Sequence, residues 1–137
     1  VVANDEPPLS GVDLAARWPE ITWHVVGRTE GDLRAFCAGA DVGVTGAVAA
    51  LAETGSIVVN SGPGRSRMVS LLPPVHIALV PVSCLTSDLL TWAAARSGAW
   101  PANVTVISGP SKTADIEQTT AIGMHGPKRV IAILYEE

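Results

Sequence analysis

The sequence predicts an α/β domain of three layers, in which helices cover both faces of a mostly parallel, six-stranded sheet. Short apolar segments alternate along the chain with segments of helical pattern, and this alternation is typical of α/β/α folds. One apolar segment, Ile57-Val58-Val59, contains no polar residue, as expected for a strand that is buried on both faces. Hydrophobic residues make up 47% of the chain and charged residues 16%, so the sequence can fill the two interfaces of such a sheet.

Six segments are predicted to be strands because they are short, apolar and bounded by turn residues. They cover residues 21–26, 41–45, 56–60, 76–80, 104–108 and 130–134. Helices are predicted where apolar residues recur at helical spacing between the strands. They cover residues 10–18, 29–38, 65–72, 86–96 and 111–122. Together the elements are expected to form a single domain, residues 1–137, because a chain of this length supports one hydrophobic core.

The first part of the chain is expected to contain a lead-in, two helices and a strand. Residues 1–9 are predicted to be a flexible lead-in, because two consecutive prolines interrupt regular structure there. Ser10 and Asp13 resemble a helix N-cap with an acidic residue three positions on. Gly27 ends the first predicted strand, and Gly39 is a natural C-terminal stop for the second helix.

The rest of the chain contains three predicted helices and one link, residues 46–55, that is short for a crossover between parallel strands. This link has room for only one or two helical turns, so an antiparallel pairing could replace a parallel crossover there. Helix 65–72 ends at consecutive prolines. Helix 86–96 has the clearest amphipathic pattern, whereas helix 111–122 has a thin apolar face.

Composition excludes several classes of function. The net charge of −4 and the pI near 5.3 argue against a nucleic-acid partner. No apolar run approaches the roughly 20 residues needed to span a bilayer, and no secretory signal is recognised. Cys37 and Cys84 are too few for a disulfide framework, and the histidines have no ligand spacing, so neither a metal site nor a cofactor of its own is expected.

Two glycine loops share a pattern that suggests an anion-binding site. Each runs Ser-Gly-Pro, a small residue, a basic residue and a hydroxyl residue, after an apolar strand and before a predicted helix. Helix N-termini attract anions, and parallel strands bring such loops to one edge of a sheet. The alternative is a surface charge beside each turn. The residues predicted to converge on a carboxylate or phosphate are Gly62, Gly64, Arg65, Ser66, Gly109, Ser111, Lys112 and Thr113.

Ordered motifs over about the last hundred residues resemble the LUD-domain family. They include Ala40-Asp41-Val42-Gly43-Val44-Thr45-Gly46, Ala52-Glu53-Thr54-Gly55, Gly64-Arg65-Ser66-Arg67, Ser108-Gly109-Pro110-Ser111-Lys112-Thr113 and His125-Gly126-Pro127. The resemblance implies a fold like that of sugar-phosphate isomerases and coenzyme A transferases. It also implies a cytoplasmic role in oxidising L-lactate to pyruvate, alongside iron–sulfur partner subunits.

Three functional hypotheses follow from these observations. The preferred one is a non-redox accessory subunit of a lactate-oxidising system that binds a small anion or a partner protein. The second is an isomerase or acyl/CoA transferase that uses Glu53 as base or nucleophile, although this carboxylate could instead bond backbone N–H groups of the Thr54-Gly55 turn. The third is a purely structural interaction domain.

Overall fold

The computed structural model describes residues 1–114, 120–122 and 125–137. The strands are β1 (Val2–Ala3), β2 (His24–Val25), β3 (Val42–Gly46), β4 (Ala49–Leu51), β5 (Ser56–Ser61), β6 (Val75–Pro81), β7 (Leu85–Thr86), β8 (Asn103–Ile107), β9 (Lys112–Ala114), β10 (Thr120–Ile122) and β11 (Arg129–Tyr135). The helices are α1 (Leu14–Arg17), α2 (Leu33–Gly39), α3 (Met68–Leu71) and α4 (Leu89–Ala95), with a 3₁₀ turn at Val82–Cys84. None of the helices in these residues is long and apolar enough to cross a membrane.

The larger sheet is wholly parallel, and its five strands follow the order β11-β6-β3-β1-β2. This confirms the predicted α/β class with a mostly parallel sheet. The sheet has five strands, close to the six predicted, and β5 and β8 lie outside it. The central strand is β3. Strand β1, which lies in the segment predicted to be a lead-in, pairs with β2 on one side and β3 on the other.

A second, four-stranded sheet has the order β7-β4-β5-β8. Strand β5 runs antiparallel to both β4 and β8, so the parallel placement predicted for 56–60 and 104–108 is wrong. The reason lies in the short link 46–55, which forms β4 and a tight turn rather than a crossover helix. Gly55 provides the left-handed residue of this turn, with φ of 67°.

Residues 111–122 were predicted to be a helix, and this prediction is wrong. Strands β9 and β10 pair antiparallel with each other, and residues 115–119 lie outside the described residues. The β-branched Thr113, Thr120 and Ile122 favour extended structure over a helix with so thin an apolar face.

The core begins at the first strand, so the flexible lead-in predicted for residues 1–9 is wrong for residues 2–4, which are buried. Val2 and Ala3 are fully buried. Two hydrophobic clusters flank the parallel sheet, and a third joins the two sheets. The residues of this third cluster are Ile57, Val59, Ala78 and Val80. The proximity of β5 to β6 therefore explains why the apolar run of β5 is buried, although it belongs to a different sheet.

Candidate functional site

The site lies at the carboxyl ends of β1 and β3, where the chain order of the parallel sheet reverses. From β1 the chain first adds β2 on one side and then returns to add β3 on the other. Open α/β sheets bind ligands in the crevice outside such a switch point. Asn4, Asp5 and Glu6 follow β1 directly, and Gly46 ends β3. Polar side chains therefore occupy the position that this architecture favours for a ligand.

Glu6 is held against β3 by one of its two carboxylate oxygens. Its Oε1 accepts hydrogen bonds from Asn4 Nδ2 (3.1 Å) and from the backbone N–H of Gly46 (2.9 Å). A Cβ at Gly46 would lie 3.1 Å from the carboxyl carbon of Glu6, so a glycine permits this close contact. No hydrogen bond from the described part of the chain reaches Oε2. This oxygen can therefore accept a hydrogen bond from a ligand.

Asn4 connects Glu6 to the first glycine loop. Its side chain is only 3% exposed, and its Oδ1 accepts a hydrogen bond from the backbone N–H of Ser66 (3.0 Å). The backbone N–H of Asp5 also donates to Gly64 O (2.8 Å). The Asn4 side chain thus hydrogen-bonds both the loop, at Ser66, and the carboxylate of Glu6. It therefore fixes the position of the loop relative to Glu6.

The first glycine loop is a tight turn that needs glycine at its contact with β1. Gly62 and Arg65 exchange backbone hydrogen bonds of 3.1 and 2.9 Å. Gly64 has φ of 70°, and a Cβ on it would lie 3.2 Å from Asp5 Cβ. The side chain of Arg65 folds back over the turn, because its Nη2 lies 3.1 Å from the position of a Cβ on Gly62. The guanidinium group is thus kept beside the loop, half-buried.

The charges at this edge are only partly neutralised. Arg28 Nη2 lies 3.1 Å from Asp5 Oδ1 as an ion pair, and this carboxylate oxygen accepts no hydrogen bond from the described residues. Arg65 makes no salt bridge with any residue that the structure describes. One guanidinium group and one carboxylate, Arg65 and Glu6, therefore have charge available for a ligand.

The buried histidine beside the site is a structural residue. His76 is fully buried on β6, and its Nε2 lies 2.8 Å from Thr45 Oγ1 on β3. Burial lowers the pKa of His76 to about 4, because desolvation disfavours the charged imidazolium. The ring is therefore neutral near pH 7 and links the two strands.

The eight residues predicted to bind an anion do not form one site. Strands β5 and β8 are antiparallel, with Ile57 opposite Ile107 and Ser61 opposite Asn103. The loop that contains Arg65 therefore leaves one end of the sheet, and the loop that contains Lys112 leaves the other, about 14 Å away along the strands.

Contacts to the parallel sheet confirm this separation. Residues 62–66 contact the carboxyl end of β1. By contrast, the backbone N–H of Ser111 donates to the carbonyl oxygen of Pro127 (2.9 Å), near the amino end of β11. The predicted convergence of Arg65 and Lys112 is wrong, because it assumed that both loops follow parallel strands. Lys112 is exposed at the start of β9. Whether either loop binds an anion on its own stays a prediction.

Glu53 lies in the exposed turn between β4 and β5, at the end of the second sheet opposite Arg65. Its backbone N–H donates to Ser87 O (2.9 Å). Next to it, the Ser56 hydroxyl oxygen lies 2.6 Å from that of Thr54 and 2.7 Å from that of Ser108. No hydrogen bond between the Glu53 side chain and a possible catalytic partner is found in the described residues. The geometry favours Glu6 over Glu53 as the functional carboxylate.

Sequence reasoning missed Asn4, Asp5, Glu6 and Arg28. One signal was present, because three apolar residues, Val1-Val2-Ala3, give way abruptly to three polar ones. Such a change is typical of a strand that ends at a functional edge. The apolar segment is shorter than most strands, and the following prolines suggested a loop instead.

The residues described here contain no group of three or more His, Cys, Asp or Glu side chains that could hold a metal ion. Cys37 is fully buried in the cluster formed with β1, whereas Cys84 packs between the two sheets. Burial raises the pKa of both thiols, since desolvation disfavours the thiolate.

Known proteins resemble this chain along nearly all of its length. The LUD domain profile matches residues 11–135. Lactate utilization protein C of Exiguobacterium sp. is 45% identical over 104 residues, which cover 72% of this chain and 45% of that protein. Lactate utilization protein C of Bacillus licheniformis is 34% identical over 140 residues, covering 94% of this chain and 57% of that protein. The chain thus spans about half the length of these curated relatives.

A solved structure supports the fold independently. The crystal structure of a DUF162 family protein from Deinococcus radiodurans is similar to this chain with a TM-score of 0.56 and 21% sequence identity. The similarity covers 99% of this chain and 74% of that one. The α/β architecture is therefore shared with a protein of low sequence identity.

Proposed function

This chain belongs to the LUD-domain family, and from that premise we propose that it serves in L-lactate utilization as an accessory subunit without a redox group of its own. The observation that carries the proposal is the similarity to lactate utilization protein C, at 45% identity over 72% of the chain. In this proposal, iron–sulfur subunits in the cytoplasm transfer the electrons when lactate is oxidised to pyruvate. The present chain binds to them and holds a small anion.

The cysteine chemistry supports the assignment of electron transfer to other subunits. Iron–sulfur clusters are commonly held by four cysteine thiolates, and the sequence contains Cys37 and Cys84 alone. They lie in different hydrophobic clusters, and burial raises the pKa of each. Both features disfavour a cluster that is held by this chain.

The charges at the switch point support a small carboxylate as the anion. Asp5 is paired with Arg28, so Arg65 carries the positive charge that a ligand carboxylate can meet. Glu6 Oε2 can accept a hydrogen bond from a ligand hydroxyl group. A 2-hydroxycarboxylate such as lactate carries both groups, whereas pyruvate has no hydroxyl group to donate and would use Arg65 alone.

Isothermal titration calorimetry with L-lactate, pyruvate and phosphate tests the binding site. A charge-assisted hydrogen bond contributes about 1.5–3 kcal/mol, so Arg65→Ala should weaken binding roughly 10- to 150-fold. Arg67→Ala is the matched control, because Arg67 is exposed two residues away. Lys112→Ala should also leave binding unchanged, since its loop lies at the other end of the sheet. If wild type binds an anion and Arg65→Ala binds it equally well, the site lies elsewhere.

A reconstituted assay tests the accessory role. The native iron–sulfur subunits are purified with and without this chain, and lactate oxidation with an artificial electron acceptor is measured in both preparations. We expect activity to increase when the chain is added and the chain alone to be inactive. Lactate oxidation by the isolated chain, or a stoichiometric bound chromophore, would refute the accessory role. Tight binding to the subunits without any anion binding would favour a purely structural domain.

A further inference from the structure

Strand β11 is an edge strand with an unusually accessible apolar sequence. It pairs with β6 through all seven of its residues, and no strand in the described part of the chain pairs with its outer edge. Ile133 is 46% exposed and Leu134 is 54% exposed. The backbone groups along this edge are therefore available to another strand.

The edge lacks the features that usually prevent strand addition. Natural proteins protect edges with charged residues, proline, bulges or very short strands. The central segment Val130-Ile131-Ala132-Ile133-Leu134 contains no charged residue and no proline, and its ladder with β6 is regular. An exposed apolar edge of this length is suited to pairing with a further strand.

We propose that the outer edge of β11 pairs antiparallel with β11 of a second copy of this chain, around a two-fold axis at Ala132. Charge determines the direction. Two basic residues, Lys128 and Arg129, stand at the beginning of the strand, and two acidic residues, Glu136 and Glu137, follow its end. Antiparallel pairing brings basic and acidic ends together, whereas parallel pairing would place like charges side by side.

The register centred on Ala132 also matches the apolar residues. It places Ile131 opposite Ile133 of the second copy and Val130 opposite its Leu134, and Lys128 faces its Glu136. Apolar pairs thus meet on both faces of the sheet, and opposite charges meet at both ends. The two five-stranded sheets then form one continuous sheet across an isologous interface.

Sedimentation velocity of the 137-residue protein over a range of concentrations tests the proposal. Wild type should form a concentration-dependent dimer. Ile131→Lys and Ile133→Glu, each alone, should weaken dimerisation about tenfold or more, because each puts a charge against an apolar residue on both sides of the axis. The double variant I131K/I133E should recover the dimer, since its new charges face each other with opposite sign. Leu90→Lys is the control, because Leu90 is 81% exposed on α4.

Amide hydrogen exchange of the wild type provides a test that no folding defect can disturb. Exchange within Arg129–Tyr135 should slow as the protein concentration rises, and exchange within α4 should not. A wild type that stays monomeric at the highest attainable concentration would overturn the proposal. It would also be overturned if the folded double variant, checked by circular dichroism, dimerised no better than either single variant.

Discussion

Asn4 is the residue through which the glycine loop and Glu6 depend on each other, so its replacement should have a large effect. Asn4→Leu keeps a similar volume but removes the hydrogen bond to the Glu6 carboxylate and leaves the Ser66 N–H without its acceptor. A hydrogen bond to a charged group contributes about 1.5–3 kcal/mol, and an unsatisfied buried donor costs about 1–3 kcal/mol. Because Ser66 is only partly buried, the free energy of unfolding should fall by about 2–5 kcal/mol.

Urea denaturation at pH 7 measures this loss. Asn60→Leu is the matched control, since Asn60 Oδ1 is buried without a partner among the described residues. Its replacement should change the free energy of unfolding by less than about 1 kcal/mol. If Asn4→Leu lost less than about 1 kcal/mol as well, Asn4 would not be organising this edge.

The isosteric variant Asn4→Asp tests the same contact through the direction in which its loss of stability changes with pH. Its carboxylate can still accept from Ser66, but it faces the Glu6 carboxylate and cannot donate to it. Two adjacent carboxylates raise the pKa of one of them, so the folded state binds more protons than the unfolded state. The loss of stability relative to wild type should therefore grow as the pH rises above the ordinary carboxyl range and shrink as it falls. A loss independent of pH would refute the proposed contact.

Two further substitutions test the packing of the parallel sheet. A Cβ at Gly43 would overlap the backbone carbonyl oxygen of Val69, so Gly43→Ala should destabilise the protein by about 2 kcal/mol or more in urea denaturation. Gly39→Ala is the control, because a Cβ at Gly39 would meet no atom within 4 Å. The control should leave the free energy of unfolding unchanged or raise it. Since burial lowers the pKa of His76 to about 4, the folded state binds fewer protons than the unfolded state, and stability of up to about 3 kcal/mol should be lost as the pH falls from about 6.5 to 4. His76→Gln should flatten this part of the stability profile, and an unchanged profile would contradict the assignment.

Several elements follow from local sequence alone. The strand predicted at 41–45 is observed at Val42–Gly46, the one at 76–80 at Val75–Pro81, and the one at 130–134 at Arg129–Tyr135. Each is an apolar segment bounded by turn residues, and burial on a parallel sheet requires that pattern. The family resemblance was equally local, because it rests on short ordered motifs, and the LUD domain profile confirms it.

Local sequence patterns could not identify which residues form the candidate site. The segment Val2–Ala3 contains only two residues, and its burial comes from neighbours on both sides that lie about twenty and forty residues further along the chain. Apart from the change from apolar to polar residues after Ala3, nothing in so short a segment distinguishes an interior strand from a lead-in. Asn4 and Glu6 could therefore be recognised only after β1 had been placed between β2 and β3.

By itself, the sequence determined the fold class and the strands of the parallel sheet from β3 onward. The tertiary structure alone decided the direction in which β5 and β8 pair, and with it the separation of Arg65 from Lys112. The physical reason is that an apolar run such as Ile57-Val58-Val59 is buried equally well in a parallel sheet or in an antiparallel sheet packed on another. Its burial depends on what covers its two faces, whereas its direction depends on backbone partners that are distant in sequence.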